Sequence, residues 1–177
     1  MSTVIDTNRL RLVSCSREML EAVIAGDDAI GKLLRVNAAT PWTMNEESVF
    51  RFSMEKISAH PDEEQWWTYL HILKRENLLT GCCGFKGKPD KNGMVEIGYE
   101  VARDYRLQGL ATEIARALIE FSFSDEAVKT VIAHTLAEEN ASNRVLRKCG
   151  MTFASVAEDP DEGKVWRWEI AKPASTL

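Results

Sequence analysis

Between Trp66 and Phe123 the apolar residues change their spacing without an intervening linker, and that change limits the folds open to the chain. Trp66–Leu73 is aromatic and β-branched, Leu78–Phe85 is apolar, and Met94–Val101 reads as a third strand. Lys74-Arg75-Glu76-Asn77 and Lys88-Pro89-Asp90-Lys91-Asn92-Gly93 are turns between them, so this segment predicts an antiparallel meander. From Gly109 to Phe123 the spacing becomes helical through Leu110, Ile114, Leu118 and Phe121, with Glu113, Arg116 and Glu120 on the other face. A meander that feeds straight into a long helix calls for a sheet with helices packed on it, not a bundle or a sandwich.

The flanking segments fit that scheme. Leu10–Val13 alternates as a short strand, and Ser14 or Ser16 caps a helix through about Ala25. Asp27 and Asp28 start a second helix ending near Val36, and Asn45 or Ser48 opens a third that stops before Pro61. Thr130–Leu136 is a strand, Asn140 caps a helix ending at Gly150, and strands near Thr152–Glu158 and Lys164–Ile170 flank an acidic turn. The expectation is one mixed α/β domain over residues 1–177.

Composition narrows the function classes. Hydrophobic residues at 45% and charged residues at 28% are ordinary globular values, which argues against disorder. With 22 basic against 27 acidic residues the net charge is −5, which argues against a nucleic-acid partner. No apolar run approaches the ~20 residues of a membrane span, and the start lacks the pattern of a secretory leader, so a cytoplasmic protein is expected. Cys82 and Cys83 are adjacent and would point to opposite faces of a strand. No other cysteine or histidine spacing supports a metal, so none is expected.

The most informative stretch is the junction Arg103-Asp104-Tyr105-Arg106-Leu107-Gln108-Gly109-Leu110-Ala111-Thr112-Glu113. A strand enters a short loop, Gly109 lets a ligand approach the backbone, and the free N–H groups of the first helical turn face that loop. With the helix dipole behind them, such amides bind phosphate without lysines. Arg103 and Arg106 add charge, and Thr112 adds a hydroxyl. The segment is neither a P-loop nor a dinucleotide fingerprint. Taken alone, one glycine before a helix is also consistent with an ordinary tight turn.

Arg106-x-x-Gly109-x-Ala111 is similar to the Q/R-x-x-G-x-G/A motif of the GNAT N-acetyltransferase superfamily. Thr7-Asn8-Arg9-Leu10-Arg11-Leu12 resembles that superfamily's opening strand, Val95–Val101 its strand before the loop, and Asn140–Gly150 its following helix. The matches lie in family order over nearly the whole chain, and the RimJ/RimL-like branch is the nearest in pattern. The resemblance implies a mostly antiparallel, twisted sheet of about seven strands, splayed between the fourth and fifth, with helices on both faces. It implies acetyl-CoA as acyl donor and an amine substrate, either a peptide N-terminus (ribosomal proteins included) or a small molecule. A homodimer is common in the family. Pyrophosphate would lie on the backbone of Arg106, Leu107, Gln108, Gly109, Leu110, Ala111 and Thr112, with pantetheine along Ile97, Gly98, Tyr99 and Val101 and near Asn140 and Asn143. Leu107 stands where Arg or Gly is usual, and Met151 where Phe is usual. The helix after Thr130–Leu136 lacks the tyrosine that many relatives use as general acid.

Acetyl transfer needs a neutral amine. At pH 7 roughly one α-amine in ten is neutral, against about one lysine in a few thousand, so a base helps both and lysine more. Glu96 is the first choice, as a match to a family carboxylate, and Glu100, of the same side-chain parity, is its rival. Ser142 is a candidate proton donor to the departing thiolate, although helix capping is the simpler role for it. His134 has no fixed direction from alternation, and packing is its simpler role. An N–H from the Ile97–Tyr99 neighbourhood is expected to meet the oxyanion. Trp42, Phe50, Trp66 and Trp67 read as core or cleft wall, with Pro41-Trp42 a candidate lining for the acceptor pocket. None of the four cysteines has the His and Asp setting of an acyl-enzyme nucleophile, so direct transfer is expected. The competing reading is a non-catalytic acyl-CoA sensor or scaffold.

Overall fold

The computed structural model describes residues 2–174. Two short strands open it, β1 (Val4–Asp6) and β2 (Leu10–Ser14), followed by α1 (Arg17–Ala25), α2 (Asp27–Leu34), the two-residue β3 (Asn37–Ala38) and α3 (Glu47–Ala59). The meander comes next as β4 (Thr68–Leu73), β5 (Leu78–Phe85) and β6 (Met94–Val101). Then come α4 (Leu110–Ser124), β7 (Thr130–Leu136), α5 (Ala141–Lys148), β8 (Thr152–Asp159) and β9 (Gly163–Ala171). The strands form one sheet in the order β1-β2-β4-β5-β6-β7-β9-β8, with β3 pairing onto the start of β5. Among the described residues only the β3–β5 and β6–β7 pairs are parallel. The seven expected strands are all present; β1 and β3 are additional, and two or three residues are too few to carry an alternation signal.

Local chemistry accounts for most boundaries. Ser16, not Ser14, caps α1, its hydroxyl accepting from the Met19 amide at 3.3 Å. Pro61–Trp66 winds into a 3-10 turn, with proline at its start, so β4 begins at Thr68 instead of Trp66. Neither Asn45 nor Ser48 caps α3, which starts at Glu47 behind an uncapped Glu46. The Asn45 side chain is turned instead toward Glu100, to which its NH2 donates at 3.0 Å. Asn140 caps α5 through the Asn143 amide at 3.0 Å, and Gly150, at φ 84°, closes its end.

Two cores sandwich the sheet. On one face α4 and α5 pack Leu110, Ile114, Leu118 and Leu146 against Ile97, Val131 and Trp168. On the other, α1–α3 pack Leu20, Ile30, Phe50 and Ile57 against Leu70 and Leu79. Cys83 belongs to the first core and Cys82 to the second, as adjacent strand positions require. All four cysteines are free thiols. No group of three or more His, Cys, Asp or Glu able to hold a metal occurs among the described residues. No helix among them is long and apolar enough to cross a membrane.

The feature that positions the site is the β6–β7 fork. These strands pair only at Met94–Thr130, Val95–Val131 and Glu96–Ile132. Beyond Glu96, β6 stays on β5 while β7 stays on β9, and the sheet opens. That is the splay expected between the fourth and fifth of the seven strands.

Candidate active site at the splayed strands

The loop after β6 is built to present its backbone. Arg103–Tyr105 makes a 3-10 turn, Leu107 takes a left-handed φ of 61°, and Gly109 lies at 80° before α4 begins. No side chain caps α4, and its first bonded amide outside the regular helix ladder is that of Glu113, on the Gly109 carbonyl at 3.1 Å. The amides of Leu110, Ala111 and Thr112 are thereby left facing the loop. Leu110 contributes only its amide, since its side chain is in the core. The Leu107 side chain is 96% exposed, so the departure from the family pattern there leaves the backbone as the part facing a ligand.

A contact set that spacing cannot reveal holds this loop. Glu113 accepts from the Thr7 hydroxyl at 2.6 Å, the Arg9 amide at 2.7 Å and the Arg9 guanidinium at 2.7 Å. Arg9 also donates to the Gln108 carbonyl at 2.7 Å. Burial raises the Glu113 carboxyl, but those hydrogen bonds outweigh it and hold the group below its usual range. Arg106 turns back, its Nε donating to the Val101 carbonyl at 2.9 Å, so it braces the end of β6. Arg147 is likewise committed, paired twice with Glu139 and lying 5.1 Å over the Trp168 ring.

At the fork, the ladder decides which backbone groups are available. Lys86 N–H bonds the Glu96 carbonyl at 3.0 Å and Ala102 N–H the Thr80 carbonyl at 2.7 Å. Even-numbered residues of β6 therefore direct their amides and carbonyls to β5, and odd-numbered ones direct theirs to the opening. Ile97, Tyr99 and Val101 thus direct their backbone away from β5, with the Ile97 amide taken up by the last rung of the β6–β7 pairing and the Val101 carbonyl by Arg106. Gly98 does not; its backbone is turned to β5, and what it offers is space, since a Cβ there would meet nothing within 4 Å.

A cavity of about 150 Å³ occupies the fork, lined by Glu96, Ile97, Tyr99, His134, Ser142 and Leu146 among others. His134 points into it, with Nδ1 3.0 Å from Glu96 Oε1. Packing, the simpler role expected of His134, is thus not its only one: the contact ties the ring to Glu96 across the fork. Lys86 Nζ lies 2.5 Å from the same Glu96 oxygen. Ser142 is not the cap of α5, since Asn140 fills that role, and the serine lines the cavity instead. Beside it the Tyr99 phenol is buried without a hydrogen bond, and burial pushes it well up, against a smaller pull from Ser142. Asn143 is fully buried, donating to the Glu138 carbonyl at 2.7 Å with its own Oδ1 unpartnered. Asn140 donates to the same carbonyl at 3.1 Å, so both asparagines shape the turn between β7 and α5.

On the α3 side lies a larger groove of about 720 Å³, walled by α3 and by β5 and β6. Gly98, Tyr99 and Lys86 line the groove and the fork cavity alike. Glu100, the rival base, faces the groove but is fully engaged. It accepts from the Met44 amide at 2.7 Å, the Thr43 hydroxyl at 2.7 Å and the Asn45 side chain at 3.0 Å, holding the loop before α3. Trp42 is core, not groove; its indole N–H bonds Asp27 at 2.7 Å and its ring packs on Phe50. Phe50, Phe52 and Trp67 form the groove wall instead.

An uncapped helix start of this kind, an opened pair of parallel strands and a pocket on each side of β6 suit one class of chemistry: transfer of an acyl group carried on a long, anionic thioester. Residues 9–152 match the acetyltransferase (GNAT) domain family, and the chain belongs to that family; it is an N-acetyltransferase. Acetyl-CoA is the acyl donor of these enzymes. The uncharacterized N-acetyltransferase YjdG of Bacillus subtilis (strain 168) is 30% identical over 152 residues, spanning 83% of this chain and 88% of that one. Among solved structures, a GNAT-family acetyltransferase from Bacillus anthracis has a TM-score of 0.66 at 22% identity, over 96% of this chain and 99% of that one. RimL, a ribosomal L7/L12 alpha-N-protein acetyltransferase in complex with coenzyme A, has a TM-score of 0.70 at 16% identity, over 96% and 98%. Both share the fold, with the mostly antiparallel open sheet and its flanking helices.

Proposed function

We propose that the protein moves the acetyl group directly from acetyl-CoA to a primary amine at the point where Gly98 and Tyr99 separate the two pockets. One observation carries this reading: the same residues of β6 line the fork cavity on one side and the groove on the other. A thioester entering the fork and an amine entering the groove would meet across the space beside Gly98. The donor supplies an activated acetyl carbonyl and a good thiolate leaving group. The amides of Leu107 to Thr112 suit its pyrophosphate, and the outward backbone of Ile97, Tyr99 and Val101 suits its pantetheine arm.

Glu96 and His134 form the proton acceptor. With His134 Nδ1–H donating to Glu96, the carboxylate orients the ring and leaves a lone pair on Nε2. The pair takes the proton lost by the amine as its nitrogen bonds to the acetyl carbon and the carbon–sulfur bond breaks. The Tyr99 amide, directed into the opening, stabilises charge on the acetyl oxygen. The Ser142 hydroxyl, among the lining of the fork cavity, would hydrogen-bond the departing sulfur, with the buried, protonated Tyr99 phenol beside it. A thiol titrates near 8.5, so no stronger acid is needed.

Release of CoA on addition of an amine panel, with acetyl-CoA binding measured separately by calorimetry, tests the reading. Glu96→Gln and His134→Ala should each lower kcat/KM by about a hundredfold at neutral pH and leave acetyl-CoA affinity nearly intact. The double variant should lose little more, because the two act as one unit. Binding of acetyl-CoA by the wild type without CoA release to any amine would favour the sensor reading.

A further inference from the structure

The groove carries its own chemistry, and it bears on which amine is accepted. Its wall is made by Val49, Phe50, Phe52 and Trp67, with Cys82 and the adjoining residues of β5 at its floor. Phe52 and Val49 are 52% and 43% exposed, and Phe52 meets Trp67 edge-on at 5.9 Å between centroids. Large apolar side chains held open to water on a helix that faces a catalytic fork gain by being covered.

Carboxylates are scarce there. Glu100 and Asp161 are the acidic groups among the groove's described lining. Both oxygens of Glu100 already accept hydrogen bonds from the 43–45 loop. The remaining charged lining group, Lys86, sits toward the fork, where it occupies the Glu96 carboxylate that a second cation would otherwise pair with. The donors to Glu100 are neutral, so it keeps its charge but is held against the 43–45 loop, and Asp161 is the lining carboxylate that loop does not hold; the wall itself is aromatic and aliphatic. A compound with several ammonium groups would bring more charges than the groove has carboxylates free of the protein's own hydrogen bonds, while desolvating them against the aromatic wall. A single amine attached to a bulky apolar group would cover the wall and lose its one charge on reaction.

We infer that, given the acetyl-transfer reading above, the preferred acceptor is a monoamine whose amine-bearing carbon carries a large aromatic or aliphatic group, and not a polyamine. The same chemistry exists in a free amino compound and at a peptide N-terminus led by a bulky apolar residue. The two sources differ in the chain beyond the first residue, and the groove's open end admits either.

The test uses the full-length protein and five probes: phenylalanine amide, leucine amide, glycine amide, spermidine and a tripeptide led by phenylalanine. CoA release should show kcat/KM for phenylalanine and leucine amides at least about tenfold above glycine amide, with spermidine below all three. The tripeptide exceeding phenylalanine amide assigns the peptide source, and the reverse assigns the free amine. Phe52→Ala should shrink the phenylalanine-to-glycine ratio about threefold or more. Glycine amide or spermidine matching or exceeding the apolar amides overturns the inference while leaving acetyl transfer intact. A parallel calorimetric titration of each amide into CoA-saturated protein separates the two readings. If no amine releases CoA but phenylalanine amide still binds at least about tenfold tighter than glycine amide, transfer fails and the groove's specificity stands. If neither binds, both fail.

Discussion

His71 sits at the centre of the sheet, fully buried, and reaches across β5 to the strand that carries the site. Its Nε2 lies 2.7 Å from the Glu100 carbonyl, which can only accept, so Nε2 carries the proton and Nδ1 accepts from the Thr80 hydroxyl at 3.0 Å. A second proton has no acceptor there. Burial accordingly pulls His71 down from 6.5 to about 4, with the Glu100 carbonyl pulling weakly the other way. Between those two pH values the unfolded chain binds a proton that the folded one refuses. Stability from this group is therefore complete above the unfolded value and is lost as pH falls toward the folded one. The full difference is on the order of 3 kcal/mol, of which about 2 kcal/mol is lost between pH 7 and pH 5. Against a typical total of about 5–15 kcal/mol this is readily measured. His71→Gln keeps a donor for Glu100 but does not titrate. Urea unfolding monitored at pH 7, 6 and 5 should show the wild type losing its advantage over the variant by about 2 kcal/mol across that range, at unchanged slope. A gap between the two proteins that stays constant with pH refutes the assignment, whatever the variant's absolute stability.

The same geometry fixes two further outcomes. Gly81→Ala would place a Cβ 2.3 Å from the Glu100 carbonyl oxygen and 2.5 Å from His71 Nε2, at a φ of +152°. It should cost at least about 3 kcal/mol or prevent folding, read by circular dichroism and thermal melting, and a loss under about 1 kcal/mol contradicts the packing described. Glu113→Ala strands the Arg9 amide and guanidinium and should cost about 1–3 kcal/mol at pH 7. Because the Glu113 carboxyl is held below its usual range, the wild type gives up that advantage on acidification through that lowered value, and the gap to the variant should close in acid melts.

Much of the architecture is legible along the chain because it depends on near neighbours. The meander, the long helix and the Asn140 cap are all readable from residues within a few positions of each other. The loop at Arg106–Thr112 is readable for the same reason: a glycine, a helix start and a missing cap are local facts. Boundaries shift where a side chain is recruited from a distance. Asn45 would cap α3 on sequence grounds, but its side chain is turned to Glu100, 55 residues away, and the helix starts one residue further on behind Glu46. Trp42 lies beside the loop that edges the groove, yet Asp27 and Phe50 hold it in the core.

The division at the site obeys the same physics. Which residue types could act, Glu96, Glu100 and Ser142 among them, is visible from motif and parity. How they are paired is not, because direction depends on strand register and partners lie far off in sequence. Glu96 meets His134 across 38 residues, Arg9 meets Glu113 across 104, and His71 reaches Glu100 across 29. Local spacing tells on which side of its own strand a residue lies. Only the pairing of β6 with β5, and its parting from β7 after Glu96, turns the odd-numbered backbone toward the opening and sets one carboxylate at the fork and the other against a loop.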